Sequence, residues 1–416
     1  MAKKRNRMGT NEEINEAFDN RNDSSEEKVI EVTRTLSQRG KLILLFAAIA
    51  LIVVAVMIVV KAMKNRAYEG YTVISSVETS GDNIADYVMF AGNVLKVTRD
   101  GASYIDETGN TVWDCSYTMK MPQAVVADDY AVVADLNGRD VYVFDKSGKV
   151  SNQTMNYDIA NVDVASQGLY ALVLVGEDCN YINGYDKDSK EVYGLKTSIE
   201  NSGYPLDIAI SSDGEKLFTS YMKIDGTTVP NYIAAYNFGS VGQNENADRL
   251  MGGFTFEDTI FPLVDFVDNN TVVCYGDNQI VIYAMSEKPS EKAVIDIGNT
   301  EMLGVFANSK YVGFIAAADN NADDKYTIKI YNLDGKLEAT AGYNNSFERI
   351  YATEEELIIV GDFDCSIYHF NGSRKFSASF NKNLINVVPD SNKLEYIVIF
   401  ENETQIIKLK RDKDEE

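Results

Sequence analysis

A single histidine, His369, stands in a chain of 416 residues, alongside only four cysteines, six prolines and one tryptophan. With one histidine and no CxxC or HExxH pattern, the sequence has no zinc site of the usual kind, which draws several nitrogen and sulfur ligands together. No GxSxG occurs and no second histidine is present, which removes hydrolases built on a nucleophile elbow. Cys115, Cys179, Cys274 and Cys365 are too few and too scattered for the disulfide framework of a small secreted domain. Positive charge is also short. Thirty-nine Lys and Arg face 63 Asp and Glu, a net charge of −24. Residues 1–41 hold nine cations and eight anions and 61–66 add three cations, so the following 350 residues carry −28. So acidic a body repels nucleic acid and anionic lipid headgroups; it keeps the protein soluble and favours cations or a basic partner.

Long apolar runs are absent with one exception. Between Lys41 and Lys61 lies LILLFAAIALIVVAVMIVV, nineteen residues without a polar side chain. As a helix it would span roughly 28 Å, close to the hydrocarbon thickness of a bilayer. It begins too late and runs too long for a cleaved leader. Lys61, Lys64 and Arg66 can snorkel, and Tyr68 and Tyr71 suit an interface. The basic start, Lys3-Lys4-Arg5-Asn6-Arg7, favours a cytoplasmic N-terminus with the large domain outside. In the tail, Thr10 to Glu13 and Ser24 to Glu27 match capping boxes, predicting short solvated helices or a partner-binding segment.

Past residue 70 the chain reads as short strands joined by turns. Gln123 to Asp128, Tyr130 to Leu136 and Asp140 to Asp145 are runs of Val, Ala, Tyr and Phe, punctuated by Asn137-Gly138 and Ser147-Gly148. A third strand ending in an aromatic or aliphatic residue, usually before Asp or Asn, recurs at Ile105, Phe144, Tyr185, Tyr236, Tyr283, Tyr331, Phe370 and, most weakly, Leu409. The spacings are 39, 41, 51, 47, 48, 39 and 39 residues. Four strands per unit at this period predict a β-propeller; a sandwich has no reason to repeat, and a solenoid repeats faster. The last unit, 384–411, has three strands, and an extra one, Tyr71 to Glu78, precedes the first. Joining them would close an eight-bladed ring; seven blades is the alternative if one unit is irregular.

Asp106-Glu-Thr-Gly109 followed by Trp113 resembles the turn of quinoprotein-type propellers, and Asp207-IAISSDG-Glu215-KLF resembles the hairpin of WD40-like and YVTN-like propellers. The arrangement from 42 to about 411 resembles an uncharacterised family of membrane-anchored propellers of Gram-positive bacteria. The tryptophan turn occurs once, so the resemblance implies no quinone.

Candidate chemistry is sparse. Asp319, Asn321 and Asp323 alternate as a calcium loop begins, although the glycine at position 6 is missing and position 12 is Ile330. Asp186 to Glu191 is a weaker version. His369 reads as a packed or surface residue, and the cysteines, one each in blades 1, 3, 5 and 7, as small buried hydrophobes. The insertion 237–253 is either a binding loop or a spacer. Asp362 and Asp364 would share a strand face, a pairing expected by chance in an acidic domain. The expected organisation is a cytoplasmic tail 1–41, a transmembrane helix 42–60, a linker 61–70, an all-β, eight-bladed propeller 71–411 and a charged end 412–416. The expected function is a non-enzymatic binding or scaffolding module at the cell envelope, with an envelope protein or glycan as partner. No catalytic residue is assigned, and no cofactor beyond the calcium candidate. A carboxylate-dependent hydrolase or lyase on envelope glycans and a sensor signalling through the tail are the alternatives.

Overall fold

A computed structural model describes residues 45–56, 66–78, 86–106, 109–200, 202–224, 226–246, 248–319, 323–390, 392 and 394–411. The chain forms two compact units, 1–64 and 65–416. In the first, residues 45–56 are helical with every side chain exposed. The rest of the 42–60 run and both capping boxes lie outside the described residues. Among the described residues, no helix is long and apolar enough to cross a membrane.

The second unit is an eight-bladed β-propeller, each blade a four-stranded antiparallel sheet. Blades 1 to 7 span 86–116, 122–154, 158–198, 204–256, 263–296, 304–343 and 349–379. Blade 8 takes three strands from 384–410 and its outermost from Gly70–Glu78, which pairs with Glu403–Lys410 from Gly70↔Lys410 to Glu78↔Glu403 around a bulge at Val73/Ser75. The ring is closed by the two ends of the domain, as the strand count predicts.

Burial follows position within the blade. Second strands such as Tyr170–Val175 and Thr271–Tyr275 are buried on nearly every residue, because a neighbouring blade covers each face. Outer strands such as Thr111–Ser116 alternate. The apolar core is divided accordingly: among the described residues, each blade-to-blade interface has its own cluster. Leu95 and Tyr104 meet Val133 and Phe144 between blades 1 and 2, and Ile315 and Ile330 meet Leu357 and Ile359 between blades 6 and 7. Each such fully buried aliphatic side chain stabilises the ring by about 1.5–3 kcal/mol.

The recurring third-strand ending has a structural cause. In blades 1, 3, 6 and 7 the fourth turn residue donates its N–H to the carbonyl of the first, which is the last residue of the strand or the one after it: Gly109 to Asp106, Ser189 to Asp186, Gly335 to Asn332, Gly372 to His369. That fourth residue has positive φ, which glycine adopts without strain; Ser189 is the exception at φ 63°. His369 is thus the last residue of its strand rather than mid-strand. Asp362 lies in a bend and not on a strand with Asp364.

Tyr68 and Tyr71 also depart from expectation. The Tyr68 N–H donates to the Lys375 carbonyl at 2.8 Å, and the Arg411 guanidinium stacks on its ring at 4.6 Å. Tyr71 packs on Phe376 and Phe380. Both belong to the seam between blades 7 and 8, because the apolar cluster there offers them more burial than an interface would. The propeller body therefore begins inside the expected 61–70 linker.

The same seam holds a buried ion pair. Lys375 bonds to Glu356 and donates to the Tyr396 hydroxyl at 2.8 Å; Tyr396 in turn donates to Glu356 at 2.5 Å. The Lys375 and Glu356 side chains are only 8 % and 11 % exposed. Removing one partner of a buried pair strands the other charge, at a cost of about 3–5 kcal/mol. Lys375→Met should lower stability to urea by that amount, and adding Glu356→Leu should restore most of it. A single-mutant loss below about 1 kcal/mol would mean the pair is as loosely held as a surface ion pair.

Candidate functional site: the wall of the central channel

Each blade is a separate four-stranded sheet with two edges, an outer one at the rim and an inner one on the channel. Each blade's first strand pairs on one side only, and neighbouring first strands lie side by side around the axis, as Asp158–Val164, Tyr204–Ile210 and Leu263–Asp268 do. Backbone groups on those free edges still need partners. The preceding blade supplies them. The Asp163 carboxylate accepts from the Ile210 N–H at 2.7 Å, and Asp207 accepts from the Val264 N–H at 2.8 Å and from the Asn161 amide. Across the ring, the Asn386 amide donates to the Tyr87 carbonyl at 2.7 Å, and the Tyr351 hydroxyl to the Val387 carbonyl.

Blades 3, 4 and 5 thereby place three carboxylates on adjoining first strands: Asp163, Asp207 and Asp265. All three are harder to ionise than a carboxyl in water. Burial pushes Asp163 up to about 7, against the opposing pull of the Ile210 amide, and Asp265 and Asp207 add to the rise. Burial likewise lifts Asp207 to about 6, offset by the Val264 amide and Asn161. Asp265 reaches about 6 through surrounding protein and then the Asp207 charge. It differs from the other two in having no hydrogen-bond partner among the described residues; the channel walls crowd it enough to resist its ionisation, yet the residue keeps accessible surface. It is the carboxylate that a ligand could reach.

The facing wall is apolar. Tyr87, Val88, Met89, Ile350, Tyr351 and Val388, from blades 1, 7 and 8, make up half the lining of a cavity of about 530 Å³, whose polar members include Glu348 and Asn386. Within it Arg349 of blade 7 reaches Asp86 of blade 1 at 2.6 Å, both side chains about one-third exposed. The channel thus joins an acidic side to an apolar one.

The residues singled out in the sequence lie elsewhere. Asp319 and Asp323 flank the hairpin between the second and third strands of blade 6, while Asn321 lies outside the described residues. Among the described residues no group of His, Cys, Asp or Glu is arranged to hold a metal ion. The cysteines are unpaired, three of them buried. The insertion 237–253 folds into a short helix, Ser240–Glu245, and the outer strand of blade 4; Phe238 at its start stacks on Tyr193 at 3.7 Å. Trp113 joins blades 1 and 2. It stacks between Tyr104 and Phe144, at 5.5 and 5.1 Å, and its indole N–H donates to the Lys146 carbonyl of blade 2. The channel carboxylates did leave a trace in the sequence. Val162-Asp163-Val164, Leu206-Asp207-Ile208 and Val264-Asp265-Phe266 each set one Asp between apolar residues in the first strand of successive units.

The comparisons with known proteins bear on fold. A model for a family of unknown function (DUF5711) matches residues 64–409. No curated protein matches the chain. The C-terminal WD40 domain of Sif2 is similar with a TM-score of 0.56 at 10 % identity, covering 83 % of this chain and 99 % of that one. Sqt1 of Chaetomium thermophilum is similar with a TM-score of 0.55 at 9 % identity, over 83 % of this chain and 99 % of that one. The same protein bound to the N-terminus of ribosomal protein L10 gives 0.51 at 11 % identity, over 82 % and 99 %. At such identities the likeness is one of fold.

An acid raised in the folded state binds more protons folded than unfolded, so it lowers stability above its folded pKa. For Asp265 that penalty is complete above about pH 6 and vanishes toward pH 4. Asp265→Asn should therefore raise the unfolding temperature at pH 8, with the gain shrinking as pH falls from 6 to 4. An equal gain at every pH would show that the charge is not what destabilises the position.

Proposed function

The chain belongs to DUF5711, a family of unknown function, and we propose that it is a non-enzymatic binding module, tethered to the cell membrane, whose channel holds a basic and partly apolar segment of a partner protein. One observation carries this reading: the acidic wall of Asp163, Asp207 and Asp265 stands across the axis from the apolar wall around Met89 and Tyr351. A cation placed beside Asp265 would relieve the repulsion from Asp207, and aliphatic or aromatic neighbours on the same segment would fill the cavity. The −28 charge of residues 67–416 would steer a basic partner toward the ring. Sqt1, a propeller of similar fold, has been captured with the N-terminus of another protein, which is the kind of ligand proposed here.

Binding is favoured over glycoside hydrolysis by the use made of the carboxylates. Asp163 and Asp207 are held by blade-joining amides, which leaves Asp265 as the one of the three free to meet a ligand, so the acidic wall does not present the carboxylate pair that hydrolysis of the usual kind needs. The tether is the apolar run 42–60, whose helical centre 45–56 presents only exposed apolar side chains. The basic N-terminus supports a cytoplasmic tail with the propeller outside.

Cross-linking in intact cells followed by purification should recover a specific protein whose cross-linked segment is rich in Lys or Arg. A peptide of that segment should bind the full-length chain about tenfold more weakly after Asp265→Lys, the loss of one favourable ion pair. Its affinity should also fall between pH 7.5 and 5.5, as Asp265 takes up a proton near 6. Recovery of no specific partner, or of one cross-linked only to the outer rim, would overturn the reading. Protease added to intact cells should digest residues 70–416; their protection would reverse the topology.

A further inference from the structure

Away from the channel, a second groove of about 500 Å³ runs between blades 2 and 3. Its floor is aromatic. Tyr157, in the connection between the blades, and Tyr181, on the third strand of blade 3, stack with ring centres 5.0 Å apart and planes 19° from parallel. Tyr157 remains 37 % exposed. Its ring can lie there because residue 176 is glycine; a Cβ at that position would sit 3.3 Å from the ring and 2.6 Å from the Cys179 carbonyl.

The walls are polar and mostly uncharged. Gln153, Thr154 and Asn156 come from the blade 2 side, and Asn183, Ser189 and Glu191 from blade 3. Internal bonds orient several of them. The Gln153 amide N–H donates to the Tyr170 hydroxyl at 2.7 Å, and the Asn183 amide N–H to the Tyr185 hydroxyl at 3.2 Å. The Asn183 nitrogen also donates to the Glu191 carboxylate at 3.4 Å, which ties the two blade 3 side chains together at the groove's edge. Asn156 is exposed beside them.

We propose that this groove is a binding site for a short neutral oligosaccharide. A pyranose ring presents a C–H face, which an exposed tyrosine face accepts, and a rim of hydroxyls that each donate and accept. Amide and carboxylate side chains fixed at the edge of the platform match that rim. The volume lies in the range of small-ligand sites. Glu191 and the acidic surroundings repel phosphorylated or uronic sugars, which restricts the class to uncharged ones. The groove's aliphatic lining, Met155 and Leu174, is buried, so the accessible surface is tyrosine and polar side chains, which sets this groove apart from the channel.

The test is calorimetric titration of the full-length chain in nanodiscs with maltotetraose, cellotetraose and tetra-N-acetylchitotetraose. At least one should bind saturably. Tyr157→Ala should weaken that binding about tenfold, Tyr157→Phe should retain it, and Glu191→Gln should weaken it. Because Tyr157 is exposed, the unfolding temperature of Tyr157→Ala serves as a check that the blade is intact. The basic peptide of the channel should not compete, so failure here and failure of the channel reading are separable. No saturable binding by any of the three sugars, or equal binding by wild type and Tyr157→Ala, would overturn the proposal. So would loss of peptide affinity in Tyr157→Ala, which would make the groove part of the protein-binding surface.

Discussion

The propeller depends on one pairing between the ends of the domain, Gly70–Glu78 against Glu403–Lys410. Seven blades are built from consecutive chain, and each buries its faces only against its neighbours. Without the borrowed strand, blade 8 would be left with three strands, and the seam would lose Tyr68, Tyr71 and their packing on Phe376 and Phe380. Ring closure is a long-range contact whose entropic cost is met once, by the strand that arrives first and is used last. The buried Lys375–Glu356–Tyr396 network beside it adds geometry that only the closed register satisfies.

Closure also creates the chemistry of the channel. Each blade keeps an inner sheet edge on the channel, where no ladder partner meets the first strand's backbone groups. Side chains of the preceding blade meet them, and at blades 3 and 4 those side chains are carboxylates. The consequence is a set of acids in a surrounding that resists their ionisation. Asp163 and Asp207 are compensated by the amides they hold. Asp265 is not, and a free carboxylate in such a place is poised for a cation. Structural demand and binding capacity therefore arise from the same geometry at adjacent positions.

How much of this was legible depends on range. The repeat at Ile105, Phe144, Tyr185 and onward was visible because a turn with an i to i+3 bond is a local event with local residue requirements. The missing strand of the last unit could be counted for the same reason. Tyr68 and Tyr71 read as interface residues because aromatics beside an apolar run look alike whether lipid or Phe376 covers them. Asp362 and Asp364 read as a pair because strand ends are set by the neighbouring strand. The acidic motif Asp319 to Asp323 matched a ligand spacing, which by itself does not bring further ligands to the same point.

By itself the sequence determined the strand content, the blade period and the apolar run 42–60, since each follows from side-chain periodicity or turn chemistry over a few residues; it favoured eight blades over seven, and the pairing of Gly70–Glu78 with Glu403–Lys410 decided the count. It also carried the Val-Asp-Val, Leu-Asp-Ile and Val-Asp-Phe signatures, although nothing local marks them as neighbours. Only the tertiary structure decided that these three aspartates, 44 and 58 residues apart along the chain, adjoin one another across from an apolar wall. It also decided that Tyr157 and Tyr181 form one platform. The reason is physical: a propeller places equivalent positions of successive blades side by side, so proximity is set by the angular step of the ring and not by separation along the chain.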